Sequence, residues 1–304
     1  MKALFSKLVA LVLLVVVGST GAVFADETAV ADAAKIAEFN VATYNLRQKN
    51  RGDSLKGDGW NSRCPVIAAL VRFHEFHIFG TQEGFKSQLE DLKLRLPNYE
   101  YIGVGRDDGK AGGEHSAIFY DTTMFDLLDH GDFWFSETPD RPGRGWDAAC
   151  VRICSWGKFR HRKSGKEFRF FNLHLDHVGK KARSESVRLV MKKMQEAGDS
   201  CPTFLTGDFN VSQNNGMYKE LAASDMLHDA FTQAGFVYAL NGTYNGYRTD
   251  GYTPRRIDHI FVSDGITVDL YGILTDTYRT PAGDKTYRPR VPSDHFPIKI
   301  KVRL

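Results

Sequence analysis

The sequence predicts an α/β fold in which two packed sheets are flanked by helices. Short segments with strand-like alternation outnumber the segments with helical spacing, and the helical segments lie between the strands. The chain also shows no repeats, low-complexity stretches or convincing internal linkers after its N-terminal leader. We therefore expect one domain over residues 38–304, of a size that buries one large core.

The first 25 residues have the pattern of a signal peptide. Lys2 and Lys7 flank the start of an apolar run from Leu8 to Val17, and Val23-Phe24-Ala25 fits a small-residue cleavage site. A run of about ten apolar residues is short for a membrane span, which needs about twenty. We expect an exported protein, secreted or periplasmic, with no stable membrane insertion after cleavage and a mobile lead-in over residues 26–37.

In the first half of the domain, hydrophobic spacing indicates three strands and two helices. Val66, Ile67, Leu70 and Val71 lie on one helical face, and Pro97 ends the next helical segment. The expected strands are Asn40–Asn45, His77–Thr81 and Ser116–Tyr120, and the expected helices are Arg63–Phe73 and Gln88–Leu96. A loop rich in Trp and Gly follows over Phe133–Trp146.

In the second half, a hairpin precedes the remaining elements. Its strands are Cys150–Phe159 and Glu167–Leu175, and Ser164-Gly165 forms its turn. Lys181–Ala197 has helical spacing and ends at Gly198. The other expected strands are Thr203–Thr206, Arg256–Val262 and Phe296–Val302, and a further helix is expected near Met217–Ala223.

Composition excludes some classes of protein. Without Lys2 and Lys7, 38 basic residues stand against 37 acidic ones, and this balance argues against a protein that coats long nucleic acid. No Cys/His spacing suggests a zinc site. We expect the four cysteines, Cys64, Cys150, Cys154 and Cys201, to be mostly small buried hydrophobes, while their pairing stays open.

Polar side chains recur where the predicted strands end. The apolar strand before TGDFN, residues 206–210, ends in Gly207, Asp208 and Asn210, which taken alone indicates a turn. The same pattern occurs at five other strand ends or starts, with Asn45, Glu83, His174, Asp258, and the pair Asp294-His295. Because the pattern occurs at six places, we predict that these strand ends lie along one edge of the sheets and form a functional site there.

The residue types at these ends indicate phosphate ester hydrolysis. Carboxylate and amide oxygens without thiolates suit Mg²⁺ or Mn²⁺. A histidine beside an acid, with a second acid to orient it, supplies a general base, and Asn and His donors suit the charge on phosphoryl oxygens. The sequence shows no nucleophile elbow and no phosphate-binding P-loop, so we expect water to be the nucleophile.

An ordered series of motifs resembles the endonuclease/exonuclease/phosphatase superfamily. The motifs are TYN at 43–45, GTQE at 80–83, NLHLDH at 172–177, LTGDFN at 205–210, RIDHIF at 256–261 and PSDHFP at 292–297. The resemblance covers residues 38–304 and implies a four-layer α/β sandwich with two mostly antiparallel sheets. The TYN, RIDHIF and PSDHFP motifs are most similar in sequence to those of nocturnin-like deadenylases, whereas residues 133–156 look like the same region of exported bacterial members.

The resemblance also implies a metal-dependent phosphoesterase and a ligand set. Glu83 would be the principal Mg²⁺ ligand, with Asn45 and Asp294 beside it. Mn²⁺ is the alternative ion.

The resemblance assigns five catalytic roles. His295 looks like the general base, paired with Asp258. Asp208 would position the attacking water or share the proton, and Asn210 and His174 would contact phosphate.

Three further residues are candidates for phosphate or substrate contacts. Arg152 can clamp a phosphate with its planar fork, although a structural ion pair explains it as well. Tyr120 can donate a hydrogen bond to phosphate, and Arg183 begins a helix whose simplest interpretation is a solvated face. For His177 and His259 we expect packing roles.

Two further features bear on the substrate. Trp60, Trp134 and Trp146 lie in Gly-rich loops, where they can stack on a base or a sugar or pin the loops. The basic stretch Lys158–Lys163 can bind nucleic acid, but it lies on a hairpin tip, where charged residues are ordinary.

The sequence thus predicts a phosphoesterase that acts on a small or terminal phosphate ester. The alternative within the enzyme class is an endonuclease or a 3′-exonuclease acting on DNA or RNA. The alternative of another class is an inactive binding module that retains the fold, and the sequence argues against it because every acid and the histidine of the motifs are present.

Overall fold

The structure, a computed structural model, describes residues 36–198 and 201–304. The signal peptide expected at residues 1–25 and most of the lead-in lie outside the described residues, so export stays a prediction from the sequence. Ala37, which we placed in the lead-in, exchanges two backbone hydrogen bonds with Leu304 and already belongs to the domain. In the described part of the chain, no helix is long and apolar enough to cross a membrane.

The described residues form groups of strands that are separated by helices. The strands are β1 Glu38–Asn45, β2 Ile78–Gln82, β3 Gly84–Phe85, β4 Tyr99–Ile102, β5 Glu114–His115, β6 Ile118–Asp121, β7 Phe125–Trp134, β8 Ile153–His161, β9 Glu167–His174, β10 Thr203–Asp208, β11 His228–Asp229, β12 Phe236–Tyr238, β13 Asp258–Val262, β14 Thr267–Ile273, β15 Tyr278–Gly283, β16 Thr286–Arg290 and β17 Ile298–Arg303. The helices are α1 Arg51–Leu55, α2 Trp60–Phe73, α3 Lys86–Lys93, α4 Lys180–Glu196, α5 Gly216–Ala222 and α6 Ala230–Gln233.

Two large sheets confirm the predicted architecture. The first has the order β12-β14-β17-β1-β2-β6-β4 and the second the order β11-β13-β10-β9-β8-β7. Most neighbouring strands are antiparallel, but β1 is parallel to β2, β9 is parallel to β10, and at the edge of the first sheet β12 is parallel to β14. Each sheet therefore has a central parallel pair, and the two strands of a parallel pair end at the same edge.

Three apolar clusters separate four layers. Between the sheets, Val41 of β1 and Phe170 of β9 belong to one cluster of buried side chains. Ala42 and Tyr44 point to the other face of β1 and pack with residues of α2 and α3, and Phe171 of β9 packs with residues of α4 and α5. Because strand side chains alternate between faces, each sheet has one face toward its partner and one toward helices.

The strands that the sequence did not predict are very short, contain a register shift or are little buried. A register shift between Leu127 and Asp129 breaks the alternation of β7, and another between Val268 and Leu270 breaks that of β14. Strands β15 and β16 form a largely exposed two-stranded ribbon. A pattern search that depends on strict period-two burial does not detect such segments.

Asn172 of β9 joins the two sheets through buried hydrogen bonds. Its Nδ2 donates to the backbone oxygens of Thr81 and Ala117 in or next to the first sheet, at 2.8 and 3.0 Å. Its Oδ1 accepts from Gln82 Nε2 at 2.7 Å and from Thr206 Oγ1 at 3.1 Å. The fully buried amide thus uses its full hydrogen-bonding capacity.

Gly80 lets the sheets approach each other at Asn172. A Cβ atom at Gly80 would lie 2.3 Å from Asn172 Oδ1 and 2.6 Å from Thr206 Oγ1. Gly80 and the Asn172 amide together therefore set the distance between the central strands of the two sheets.

We predict that Asn172→Leu lowers the free energy of unfolding by about 3 kcal/mol or more, because it leaves several buried donors and acceptors without partners while keeping the side-chain volume. Urea unfolding monitored by circular dichroism measures the change. The exposed Asn61→Leu is the control, expected within about 0.5 kcal/mol of the parent chain. A loss below about 1 kcal/mol for Asn172→Leu would contradict the role of this amide.

Candidate active site

The polar strand ends converge at one edge of the two sheets. Asn45 ends β1, His174 ends β9 and Asp208 ends β10. Asp258 begins β13 and is the register partner of Asp208, because β13 runs antiparallel to β10. A pocket of about 590 Å³ at this edge is lined by Glu83, His174, Asp208, Asn210, Asp294 and His295, together with residues that the sequence did not single out.

TGDFN reaches this edge because Gly207 is a glycine. Its φ is +152°, and a Cβ atom there would lie 2.1 Å from the Leu173 carbonyl oxygen, so no side chain fits. Asp208 follows as the last residue of β10, and Asn210 adopts a left-handed φ of +53°. Asn210 donates through its backbone N–H to Asp208 Oδ1 and through Nδ2 to the Leu175 carbonyl oxygen. The turn therefore fixes the Asp208 carboxylate in the pocket.

His295 and Asp258 form a buried pair. Asp258 Oδ2 lies 2.8 Å from His295 Nδ1, so the imidazole donates from Nδ1 and leaves Nε2 facing Asp208 Oδ2 at 3.8 Å. Burial alone would lower the pKa of His295, but the carboxylates of Asp258, Asp208 and Asp294 outweigh it and raise that pKa well above its usual value. This is the geometry of a general base oriented by an acid.

The carboxyl groups of the pocket crowd one another. Burial raises the pKa of Asp208, and the nearby charge of Asp258 raises it further. Burial likewise raises the pKa of Asp294, and Glu83 adds to the shift. Like charges brought together in a buried site favour a cation that neutralises them.

Glu83 and Arg47 reach the pocket from left-handed backbone. Their φ angles are +64° and +55°, a region that side chains other than glycine adopt uncommonly and that carries a local energetic cost. Glu83 Oε1 accepts from Asn45 Nδ2 at 3.0 Å, and Glu83 Oε2 accepts from the Gln48 backbone N–H at 3.1 Å. Arg47 lies 3.7 Å from Asp294 and 3.9 Å from Glu83. The strained positions place a carboxylate and a guanidinium at the pocket mouth.

The residues at this edge have the chemistry to hold a divalent metal ion. Ligand atoms of Glu83, Asp208 and His295 lie within 4.8 Å of one another. Asn45 Nδ2 donates to Glu83 and to Asp208 Oδ2, and Asn45 Oδ1 accepts from the Arg47 backbone N–H. The Asn45 amide nitrogen thus joins two of the acids, and its role as a metal ligand stays a prediction.

Two arginine side chains line the pocket near Glu114 and His174. The sequence did not single out Arg106, and it left two roles open for Arg152. Arg106 lines the pocket and pairs with Glu114 at 2.5 Å. Arg152 also lines the pocket, so both of its predicted roles are compatible with its position: it lies 3.4 Å from Asp176 and donates to His177 Nδ1 at 3.0 Å. Two cations therefore line the pocket together with the acids.

Glu114 and His174 connect these arginines to Asp208. Burial raises the pKa of Glu114, and His174 lies between it and Asp208, at 3.9 and 3.6 Å. Burial and the charge of Arg152 and Arg106 lower the pKa of His174 well below its usual value. A neutral His174 can donate a hydrogen bond to phosphate from this position, which is the role that the resemblance implies for it.

Three predicted placements are wrong. Tyr120 pairs with Ile78 at the start of β2, the opposite end from the site, and its ring packs against Phe159 in the core. Arg183 is buried and donates to the Asp176 carbonyl oxygen at 2.7 Å, so it lies neither on a solvated face nor on the pocket. His177, expected to pack, is exposed at the pocket rim. His259 is buried against Phe209, as expected.

The three tryptophans that we placed in loops do not offer exposed faces, and two of them lie in regular elements, Trp60 at the start of α2 and Trp134 at the end of β7. Trp60 and Trp134 are buried, and their indole N–H groups donate to Asp91 and to the Arg106 carbonyl oxygen. Trp146 is partly buried against the cluster beside α4. The hairpin tip is charge-compensated, since Lys158 and Arg160 pair with Glu167. All four cysteines are free thiols, and Cys64 and Cys154 are buried as predicted.

Tyr244 is the aromatic side chain at the pocket rim. It is 49% exposed, and its ring lies 5.2 Å from the His295 ring at a steep angle. The backbone N–H groups of Asn245 and Gly246 both donate to the Asp294 carbonyl oxygen. Because Tyr244 lies in a loop without clear periodicity, only its distance to His295 in the fold reveals it.

Comparison with known proteins places this geometry in a family. The model of the endonuclease/exonuclease/phosphatase family matches residues 42–295, a range that contains every residue discussed above from Asn45 to His295.

Solved structures agree with the family model. An endonuclease/exonuclease/phosphatase family protein from Bacteroides thetaiotaomicron is 54% identical, with a TM-score of 0.86 over 88% of this chain and 98% of that chain. A mannosyl-6-phosphatase of the same species is 55% identical, with a TM-score of 0.85 over 87% of this chain and 99% of that chain. The human nocturnin catalytic domain, 18% identical over 87% of this chain and 93% of that chain, has a TM-score of 0.64 and shares the fold.

We predict that Asp258→Asn moves the acid limb of the pH–rate profile to lower pH by about one unit. The Asp258 carboxylate raises the pKa of His295, so its loss lowers that pKa and keeps the imidazole neutral to lower pH. The plateau rate falls by about a hundredfold or more, because the imidazole loses its orienting partner. Steady-state kinetics between pH 5 and 9, about the range in which histidine titrates, measures both effects.

Asp126→Asn, on the exposed hairpin side, is the control for Asp258→Asn and leaves the profile unchanged. His295→Ala removes the base itself and lowers turnover at least as much. Near-parental turnover of folded His295→Ala would overturn the assignment of the general base.

Proposed function

The chain belongs to the endonuclease/exonuclease/phosphatase family, and on this premise we propose that it is a divalent-metal-dependent phosphoesterase that hydrolyses a small or terminal phosphate ester with water as the nucleophile. The observation that carries the proposal is the convergence of Glu83, Asp208 and His295 within 4.8 Å, with Asp258 bonded behind the histidine. Metal-assisted hydrolysis uses a general base that is oriented by an acid and lies next to carboxylates that can bind the metal.

The proposed reaction uses the chain's own groups in distinct ways. His295 accepts a proton at Nε2 from the attacking water, whose oxygen forms a bond to phosphorus as the bond to the ester oxygen breaks. Asp258 stabilises the imidazolium that results. Asp208, close to His295 Nε2, orients the water or shares its proton, and Asn210 and His174 donate to phosphoryl oxygens.

Glu83 and Asp294 are the residues we propose to hold the metal ion, with Asp208 adjoining them. Mg²⁺ is the proposed ion and Mn²⁺ the alternative, because the donors are hard oxygens. When bound, the ion would neutralise charge on the phosphoryl oxygens. Such a cation would offset the crowding of Asp208 with Asp258 and of Asp294 with Glu83.

A sugar phosphate is the substrate class that we propose. A protein 55% identical to this chain over 87% of its length is a mannosyl-6-phosphatase. The half-exposed ring of Tyr244 at the rim offers an aromatic face to a leaving group beside the scissile phosphate. This ring takes the role that the sequence analysis gave to the tryptophans.

The nuclease alternative has less support from this chain. Nocturnin shares the fold at 18% identity, which carries no substrate with it. The clearest basic run in the sequence is paired with Glu167 and Asp126 on the hairpin. A backbone track for a long polyanion would need cations that are free to contact phosphates.

We predict that the purified protein with Mg²⁺ hydrolyses sugar phosphates, that excess chelator abolishes turnover, and that kcat/KM depends weakly on salt. A substrate with few phosphates makes few ionic contacts, and the salt slope scales with their number. The measurement is a phosphoester panel with sugar phosphates, nucleotides, single- and double-stranded DNA, and RNA, each across a salt series.

Glu83→Gln is the matched variant for the metal requirement: it keeps the side-chain size, and we expect it to raise the Mg²⁺ concentration needed for half-maximal turnover by about tenfold or more. Full turnover in excess chelator would refute the metal requirement. A strong preference for DNA or RNA with a steep salt slope would establish the nuclease alternative instead.

A further inference from the structure

We propose that Arg106 and Arg152 together bind the substrate phosphate and that Arg106 makes the pocket selective for phosphomonoesters over phosphodiesters. We call these two side chains the phosphate-binding wall. The inference rests on the proposed phosphoesterase function and adds the residue that selects a monoester, such as the proposed sugar phosphate, over a diester. A phosphomonoester presents three free oxygens and close to two negative charges, whereas a diester presents two free oxygens, one charge and a second ester arm.

Arg106 is held at the pocket by a loop that fixes its backbone. Its N–H donates to the Glu114 carbonyl oxygen at 3.0 Å, and its own carbonyl oxygen accepts from the Trp134 indole at 2.7 Å. Gly105 lies so close to Gly112 that a Cβ would be 2.2 Å from the Gly112 carbonyl oxygen. A loop built this tightly holds its side chains in place instead of leaving them free in solvent.

The Arg106 guanidinium is incompletely paired. Nη1 donates to Glu114 Oε2, and the side chain is 15% exposed. Nε is buried and has no hydrogen-bond partner among residues 36–198 and 201–304, since the Asp107 carboxylate is 3.8 Å away. Nη2 donates to no residue in that part of the chain either, and because it is not buried while the side chain lines the pocket, this nitrogen is the donor that a substrate oxygen can reach.

Arg152 completes the wall from the neighbouring strand end. It is 5% exposed and fixed between Asp176 and His177. Asp176 in turn accepts from the backbone N–H groups of Val178 and Gly179, so the ion pair rests on a rigid turn. Arg106, Arg152 and His174 also line one small cleft together, which shows that the three donors are neighbours.

The placement of these donors favours the monoester. Asp208 and His295 lie on one side of His174, and Glu114 with its partner Arg106 lies on the other, next to Arg152. A phosphoryl group between the two sides directs oxygens toward both, and planar guanidinium forks bind such oxygens well. In a diester, the second ester arm would replace one of these oxygens and place a bulky, uncharged group against the arginines.

The test compares p-nitrophenyl phosphate with bis(p-nitrophenyl) phosphate, both with Mg²⁺, in the full chain and in Arg106→Gln. We expect the parent chain to favour the monoester. We expect Arg106→Gln to lose about a hundredfold in kcat/KM on the monoester and about threefold at most on the diester, since one charged donor is removed. Calorimetric binding of inorganic phosphate should weaken by about tenfold.

Arg162→Gln is the matched control, because Arg162 forms an ion pair with Asp126 on the hairpin and lies outside the pocket lining. It should leave both substrates and phosphate binding unchanged. Arg106→Lys keeps the charge and loses the fork, so it should lose about tenfold on the monoester, and it provides the test if Arg106→Gln does not fold.

Two outcomes would overturn the inference while leaving the proposed function intact: equal losses on both substrates, or a parent chain that hydrolyses the diester more efficiently. A parent chain that hydrolyses neither of these esters nor any ester of the wider panel would instead overturn the proposed function itself.

Discussion

The buried amide of Asn172 is the interaction on which the site depends. It forms three hydrogen bonds to the other sheet and a fourth to Thr206 in its own sheet, and Gly80 opposite it permits the close contact. One of its partners, Gln82, immediately precedes Glu83, and Asn172 itself is two residues before His174. The same amide that fixes the distance between the sheets therefore fixes the distance between side chains that each sheet contributes to the pocket.

The topology turns this contact into a site with two chemically different sides. Parallel pairs in the middle of each sheet end at one edge, and their antiparallel partners begin there, so Asp208 and Asp258 are direct neighbours. Crowded acids and left-handed backbone at Arg47, Glu83 and Asn210 reduce stability locally. Destabilising features of this kind are common at binding and catalytic sites. Here they lie together at the edge where we place the cation and the anionic group.

The sequence predicted the acids and histidines because they interrupt strands whose alternation is clear. It could not predict Arg106 and Glu114, because a loop of glycines and charged residues has the composition of an exposed turn, and only Trp134 and the tight Gly105 contact bury it. Tyr120 was misplaced because a strand pattern does not reveal which end of an antiparallel strand adjoins a site. The bulged β7 and β14 were missed because a register shift removes the period that identifies a strand.

The most direct test of the proposed site is a crystal structure with Mn²⁺ and inorganic phosphate, with the ion located by its anomalous signal. We expect Mn²⁺ on the carboxylates of Glu83 and Asp294, and phosphate between that ion and the guanidinium groups of Arg106 and Arg152. The group formed by Cys150, Asp176 and His177 is the competing location, since its ligand atoms are equally close together. Mn²⁺ bound there, or phosphate bound away from the arginines, would contradict the proposed site.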